Sequence, residues 1–151
     1  METTGWSVTA LLCDHAQVAD GKLFISGGGW TFTGPGPFTH AIAFKITIPW
    51  SEANERHTLG ARLTDEDGHQ VTLGEPPNEV RFGTQFEVGR PVGLPAGAPL
   101  SMPLAVNLGP MELEPGAGYA WAVAIDDQEF VRIPFRIRLP PIPGQSGGSP
   151  T

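Results

Sequence analysis

The sequence predicts an all-β protein built as an antiparallel β-sandwich. Three observations carry that prediction. Apolar side chains alternate with small or polar ones in several short runs, the period of a strand with one buried face. Glycine contributes 20 and proline 16 of the 151 residues, a composition of many turns. One stretch alone carries helix-start chemistry, and it is short.

The elements follow in order. Residues 6–13 read as a first strand, and residues 14–21 as a polar connection ending in Asp20-Gly21, a turn dipeptide because glycine accepts positive φ. Residues 22–26 form a second strand, with Leu23, Phe24 and Ile25 read as buried. Gly27, Gly28 and Gly29 then bend or bulge the chain; they weaken a strand and pack little, so the backbone path must demand them. Residues 34–37, Gly-Pro-Gly-Pro, are a stiff loop. Residues 40–48 alternate most cleanly, with Ile42, Phe44, Ile46 and Ile48 against Ala41, Ala43, Lys45 and Thr47. Residues 51–57 are the helical stretch, at most two turns, with Ser51 as N-cap, Glu52 in the first turn and Arg56-His57 at the end.

Residues 58–64 and 69–73 pair as a hairpin about Asp65-Glu66-Asp67-Gly68. Residues 80–88 form another strand. Residues 100–108 and 131–139 alternate but contain Pro103 and Pro134, which places them at edges or bulges. Residues 119–125 set Tyr119, Trp121, Val123 and Ile125 against Ala120, Ala122 and Ala124, and Asp126-Asp127-Gln128 makes a turn. The domain therefore spans residues 1–139, and the Pro/Gly/Ser-rich tail, residues 140–151, is expected to be disordered. This makes about eight strands with turn chemistry between them.

One local run sharpens the class. Leu113-Glu114-Pro115-Gly116-Ala117-Gly118-Tyr119 resembles the tyrosine corner of immunoglobulin-like sandwiches, in which the tyrosine hydroxyl bonds back to nearby backbone. The predicted class is an immunoglobulin-like or C2-like sandwich. The run from Ala16 to Trp30, with Thr33-Gly34-Pro35-Gly36-Pro37, is similar to the opening of a family of small bacterial proteins, a domain of unknown function. The likeness continues through Ile48-Pro49-Trp50. It implies a bacterial cytosolic single domain and lends no activity, cofactor or catalytic residue.

Charge and cysteine content narrow the function. A net charge of −7 repels phosphate backbones and anionic lipid, so neither nucleic acid nor membrane is an expected partner. No apolar run reaches the roughly 18 residues of a bilayer span. The single cysteine, Cys13, sits in an apolar run and reads as a small buried hydrophobe. It suits a reducing, cytoplasmic setting. His15 shares its side of an ideal strand, so a nucleophile reading would require the two to converge in a pocket.

The remaining motifs are poor in chemistry. The glycine run lacks the Gly-Lys-Ser/Thr and following helix of a phosphate loop. His15, His40, His57 and His69 show no metal-binding spacing. Asp65, Asp67, Asp126 and Asp127 lie in turns and are the alternative Ca²⁺ ligands. No metal or cofactor is expected, and no catalytic residue.

Ala41 and Ala43, like Ala120, Ala122 and Ala124, make small-residue outer faces, which predicts cover by a loop or a second subunit. Trp6, Trp30 and Trp50 are possible anchors, whereas the phase of Trp121 puts it in the core. The function predicted is a non-catalytic module acting through protein–protein or self-association. Gly27, Gly28, Gly29, Trp30 and Trp50 are its candidate contact residues. The alternative is a small-ligand, carbohydrate or Ca²⁺-binding sandwich.

Overall fold

A computed structural model describes residues 5–142. The tail from residue 143 onward lies outside the described residues. Among the described residues eleven strands form, eight of them of seven residues or more: β1 Ser7–Ala19, β2 Lys22–Gly28, β4 Phe38–Ile48, β5 Arg56–Asp65, β8 Arg81–Glu87, β9 Leu100–Met111, β10 Gly118–Ile125 and β11 Gln128–Ile137. The other three are two-residue pieces, β3 Phe32–Thr33, β6 Thr72–Leu73 and β7 Asn78–Glu79.

Two sheets result. Sheet A runs β2-β1-β4-β9 and sheet B runs β3-β11-β10-β5-β8, with β6-β7 a separate ribbon. Every long pairing is antiparallel; β3 alone runs parallel, to the end of β11. The inner faces share one core. Leu12, Ile42, Phe44, Ile46 and Ile48 come from sheet A, and Leu59, Leu63, Trp121, Val123, Ile133, Phe135 and Ile137 from sheet B. This is the alternation read from the sequence, with each period-two run burying one face. Trp121 is fully buried, and truncating it to alanine would cost about 3–5 kcal/mol.

The prolines behave as their missing N–H requires. Pro103 lies in β9, an edge strand of sheet A, and Pro134 lies in β11 where β3 does not reach. The tyrosine-corner bond is present: the Glu114 N–H donates to the Tyr119 hydroxyl at 3.1 Å.

Four local readings change. The first strand does not end at Cys13 but runs on to Ala19, because β2 supplies a ladder for the polar half. The expected helix over 51–57 is one 3₁₀ turn, Trp50–Glu52; Arg56 and His57 already belong to β5, where His57 is buried. The hairpin arm after Gly68 reaches only a single bridge, Thr64 to Gln70, before it turns away. The Gln70 carboxamide donates to the carbonyls of Leu63, Val71 and Val80, and β8 takes over as the partner of β5. Finally, Phe24 and Ile25 are not buried.

Candidate functional site at the β1–β2 hairpin

The hairpin turns at Asp20 and Gly21, with φ of 54° and 70°, the left-handed pair of a tight two-residue turn. β4 pairs with β1 only from Ser7 to Cys13; beyond that point β1 has β2 alone. The free end of β1 is held from across the sheet. Asn107 of β9 accepts a bond from the Ala16 N–H at 3.2 Å and donates to the Ala16 carbonyl at 2.8 Å. One carboxamide thus stands in for a neighbouring strand.

The hairpin in consequence curls over the outer face of sheet A, and both its strands touch β9. Cys13, Ala16, Ala41 and Ala43 are buried beneath it, with Leu11, Leu23 and Ala105 packed alongside. The alanine face of β4 is therefore covered by the chain's own hairpin. Small side chains there let the second backbone layer approach. Cys13 is fully buried in this layer, its thiol against the Ala41 carbonyl at 3.6 Å. Burial, then the neighbouring Asp14 carboxylate, pushes the thiol pKa up. His15 is exposed, and the structure does not bring it into a pocket with Cys13.

The glycine run shapes this path. Gly27 has φ of 60°, and a Cβ there would run into the Asp14 carboxylate. A Cβ on Gly28 would lie 2.9 Å from Ile25 Cγ2 and 3.0 Å from Leu11 Cδ1. Gly29, at φ of 89°, donates its N–H to the Leu12 carbonyl at 2.8 Å. Trp30 is half-buried, its indole edge-on to His40 and Phe135 with ring centroids 5.9 and 6.0 Å away. Trp50 lies in the 3₁₀ turn, with the Arg90 guanidinium 4.8 Å above its ring and bonded to its carbonyl at 2.7 Å.

The hairpin also leaves large apolar side chains exposed. β2 ends sheet A, so one of its backbone edges is unpaired. Phe24 is 52% exposed, Ile25 41% and Val18 42%. The buried reading of Phe24 and Ile25 fails because no layer of the described residues covers them; of the three, Leu23 alone packs into the cluster beneath.

The four candidate Ca²⁺ ligands divide between opposite ends of β10. Asp65 pairs with Tyr119 near its start, whereas Asp126 and Asp127 follow Ile125 at its end, some 20 Å away at about 3.3 Å per residue. Asp65 Oδ1 is already engaged by the Asp67 and His69 amides, both at 2.9 Å. Those bonds hold its carboxyl below the ordinary value.

A family model matches residues 8–138. The chain belongs to the family of unknown function DUF6941. No curated protein and no solved structure matches it. The family match covers both sheets and the whole hairpin, so the covered alanine face and the open β2 edge both lie within the DUF6941 domain.

Two features of this DUF6941 chain escaped sequence reading. One is the Asn107 clamp, whose only signal is an amide at an outward strand position. The other is His57, 4% exposed, with Nδ1 2.8 Å from Asp126 Oδ2 and Nε2 3.0 Å from the Glu52 carbonyl. Sheet B carries the second alanine face. Ala122 stands opposite both Arg62 and Arg132 and is 4% exposed, covered by the long side chains on its flanks. A shallow depression of about 730 Å³ lies beside it, lined by Glu66, Gly118, Ala120, Arg132 and Arg136. Its arginines are ion-paired, Arg132 with Glu129 and Arg136 with Glu66.

Proposed function

We propose that this domain is a non-catalytic β-sandwich module that acts through protein–protein contact, accepting a strand at the open edge of β2. The observation that carries the reading is the exposure of Phe24 and Ile25 on an unpaired strand edge. Soluble proteins guard such edges with proline, charge or short length, because bare N–H and C=O groups template pairing. The other edges here are guarded. β9 contains Pro103 and Pro110, β8 is flanked by Arg81 and Glu87, and β3 has two residues. β2 carries one lysine at its start and no proline. Strand addition joins backbone to backbone and uses side-chain contacts for selectivity.

The buried, unpaired Cys13 suits work in a reducing compartment, and we place the domain in the cytoplasm of a bacterial cell. Among the described residues, no helix is long and apolar enough to cross a membrane.

The test is retention on immobilised chain, wild type against Phe24→Lys. The reading expects the wild type to hold a protein, its own copies included, that the variant releases. Equal retention by both, or none by either, refutes it.

A further inference from the structure

We infer that the outer face of sheet B is a second contact surface, separate from the β2 edge, and that it takes an acidic segment of a partner protein laid along β10.

The placement follows from strand alternation. Leu59, Ala61 and Leu63 of β5, Trp121 and Val123 of β10, and Ile133, Phe135 and Ile137 of β11 point into the core, so the residues between them point out. Of the nine lysines and arginines in the chain, six fall on that outward side: Arg56, Arg62, Arg81, Arg132, Arg136 and Arg138. A chain of net charge −7 thus gathers most of its cations on one face. Between them the floor is small. Gly60, Ala120, Ala122 and Ala124 carry nothing longer than a methyl group. Two depressions lie along this floor, the one of about 730 Å³ beside Ala120 and one of about 310 Å³ lined by Gly60, Arg62, Arg81 and Ala124.

Three of the arginines form a row. In register, Arg81 stands opposite Arg62, Arg62 opposite Ala122, and Ala122 opposite Arg132, at one level across four neighbouring strands. Like charges directly opposite one another destabilise a sheet. The two outer arginines have carboxylates, Glu79 at 3.4 Å from Arg81 and Glu129 at 2.9 Å from Arg132. Arg62, in the middle, has no ion-pair partner among the described residues. The flanking pairs are exposed, and such pairs gain little over water, so they open readily to another carboxylate. A guanidinium left bare between two others is a seat for a carboxylate, which it binds through two parallel N–H donations.

The surroundings decide which acidic partner fits. Both ends of the face are negative: Asp65, Glu66 and Asp67 lie at the Gly118 end of β10, Asp127 and Glu129 at the Ala124 end. A nucleic acid carries a phosphate on every nucleotide and would set phosphates against both ends. A peptide places its acids singly. The complementary segment is therefore extended, with acidic residues over the Arg62 row and neutral or basic residues toward either end.

Fluorescence anisotropy on the full chain tests the inference. The probes are peptides of about ten residues, long enough to span β10. They are built of alanine, glycine and lysine with a glutamate pair scanned through every position, beside a glutamine control, polyglutamate and a single-stranded DNA. Peptides with central glutamates and terminal lysines are expected to bind best, and more weakly as salt rises. Arg62→Glu is expected to weaken that binding by about tenfold or more. Arg62→Met, which keeps the stem over Ala122 and drops the charge, is expected to lose the same binding without lowering Tm. Phe24→Lys is expected to leave it unchanged, which reads the two surfaces apart. Failure of every glutamate peptide to exceed the glutamine control at about 1 mM overturns the inference. So does binding indifferent to Arg62. A preference for polyglutamate or DNA also overturns it, because the face would then read total charge. A Tm lowered by Arg62→Met does so as well, because the row would then serve the fold.

Discussion

His57 Nδ1 lies 2.8 Å from Asp126 Oδ2 and draws the β10–β11 turn onto the first residues of β5. The other ring nitrogen faces the Glu52 carbonyl at 3.0 Å. Both partners only accept, so the ring satisfies both by donating twice, as the imidazolium. Asp126 also accepts from the Thr58 N–H at 3.0 Å. Trp6 packs edge-on to the ring and Phe86 beside it.

The pH dependence of this pair has a definite sign. Burial opposes the charge of His57, but the Glu52 carbonyl and the Asp126 carboxylate outweigh it and raise the pKa above 6.5. Its contribution is complete below pH 6.5 and is lost as pH rises through the folded value. Burial also works against the Asp126 carboxylate, yet the His57 and Thr58 bonds and the His57 charge hold its pKa below 3.8. That contribution is present above pH 3.8 and is lost as pH falls through the lower folded value. Asp126→Asn is expected to cost about 1 kcal/mol near pH 6, modest because the carboxylate is half exposed. It should also flatten the decline of Tm above pH 6.5; an unchanged alkaline slope would count against the pair.

His40 works in the opposite direction. Its Nε2 accepts from the Trp121 indole N–H at 3.1 Å, so the buried ring is neutral with its proton on Nδ1. Burial lowers its pKa to about 4. The unfolded chain takes up that proton near pH 6.5 and the folded one does not, so stability falls by about 3 kcal/mol between pH 6.5 and 4. His40→Gln retains an acceptor for Trp121 and removes the titration. Its acid limb of Tm against pH should be visibly shallower than that of the wild type.

Asn107→Ala should release the hairpin without unfolding the sandwich. It strands the Ala16 N–H and carbonyl over a buried layer, at a cost of about 2 kcal/mol. The readout is local: the buried Cys13 thiol reacts with an aromatic disulfide reagent at least several-fold faster, and the Ala16 amide exchanges faster. Cys13 labelling at the wild-type rate would show that Asn107 does not hold the cover.

The three glycines should rank unequally. Gly27→Ala combines a positive φ with collision against Asp14 and is expected to cost most, about 2–3 kcal/mol. Gly29→Ala has the φ cost alone, since a Cβ there meets nothing within 4 Å, and should cost about 1 kcal/mol. Gly28→Ala has no φ cost but sets a Cβ 2.9 Å from the Cγ2 methyl of β-branched Ile25, which cannot swing away freely, and should fall between the other two. Denaturant melts of the three variants give the order directly.

Much of the sandwich was legible because its signals are local. Alternation in β4, β10 and β11 reports which side of each strand meets the core, and that side was read correctly. Pro103 and Pro134 report edges because a missing N–H cannot serve a ladder. Asp20-Gly21 and the run before Tyr119 report turns. The misread pieces depend on partners distant in the chain. His57 looked like the end of a helix, but its place is decided by Asp126, 69 residues away. Residues 14–19 looked like loop because nothing nearby shows that Asn107 will brace them from 91 residues away.

The chain's own order of residues determined that this is an all-β domain of about eight principal strands, which residues build its core, and that its glycine run serves a backbone path. Only tertiary structure decided what covers each sheet. Periodicity says that a side chain sits on one face of a strand, but whether that face meets solvent depends on what folds over it. Ala41 and Ala43 are buried and Phe24 is exposed for one reason: the β1–β2 hairpin curls across sheet A, and none of the described residues folds over it in turn.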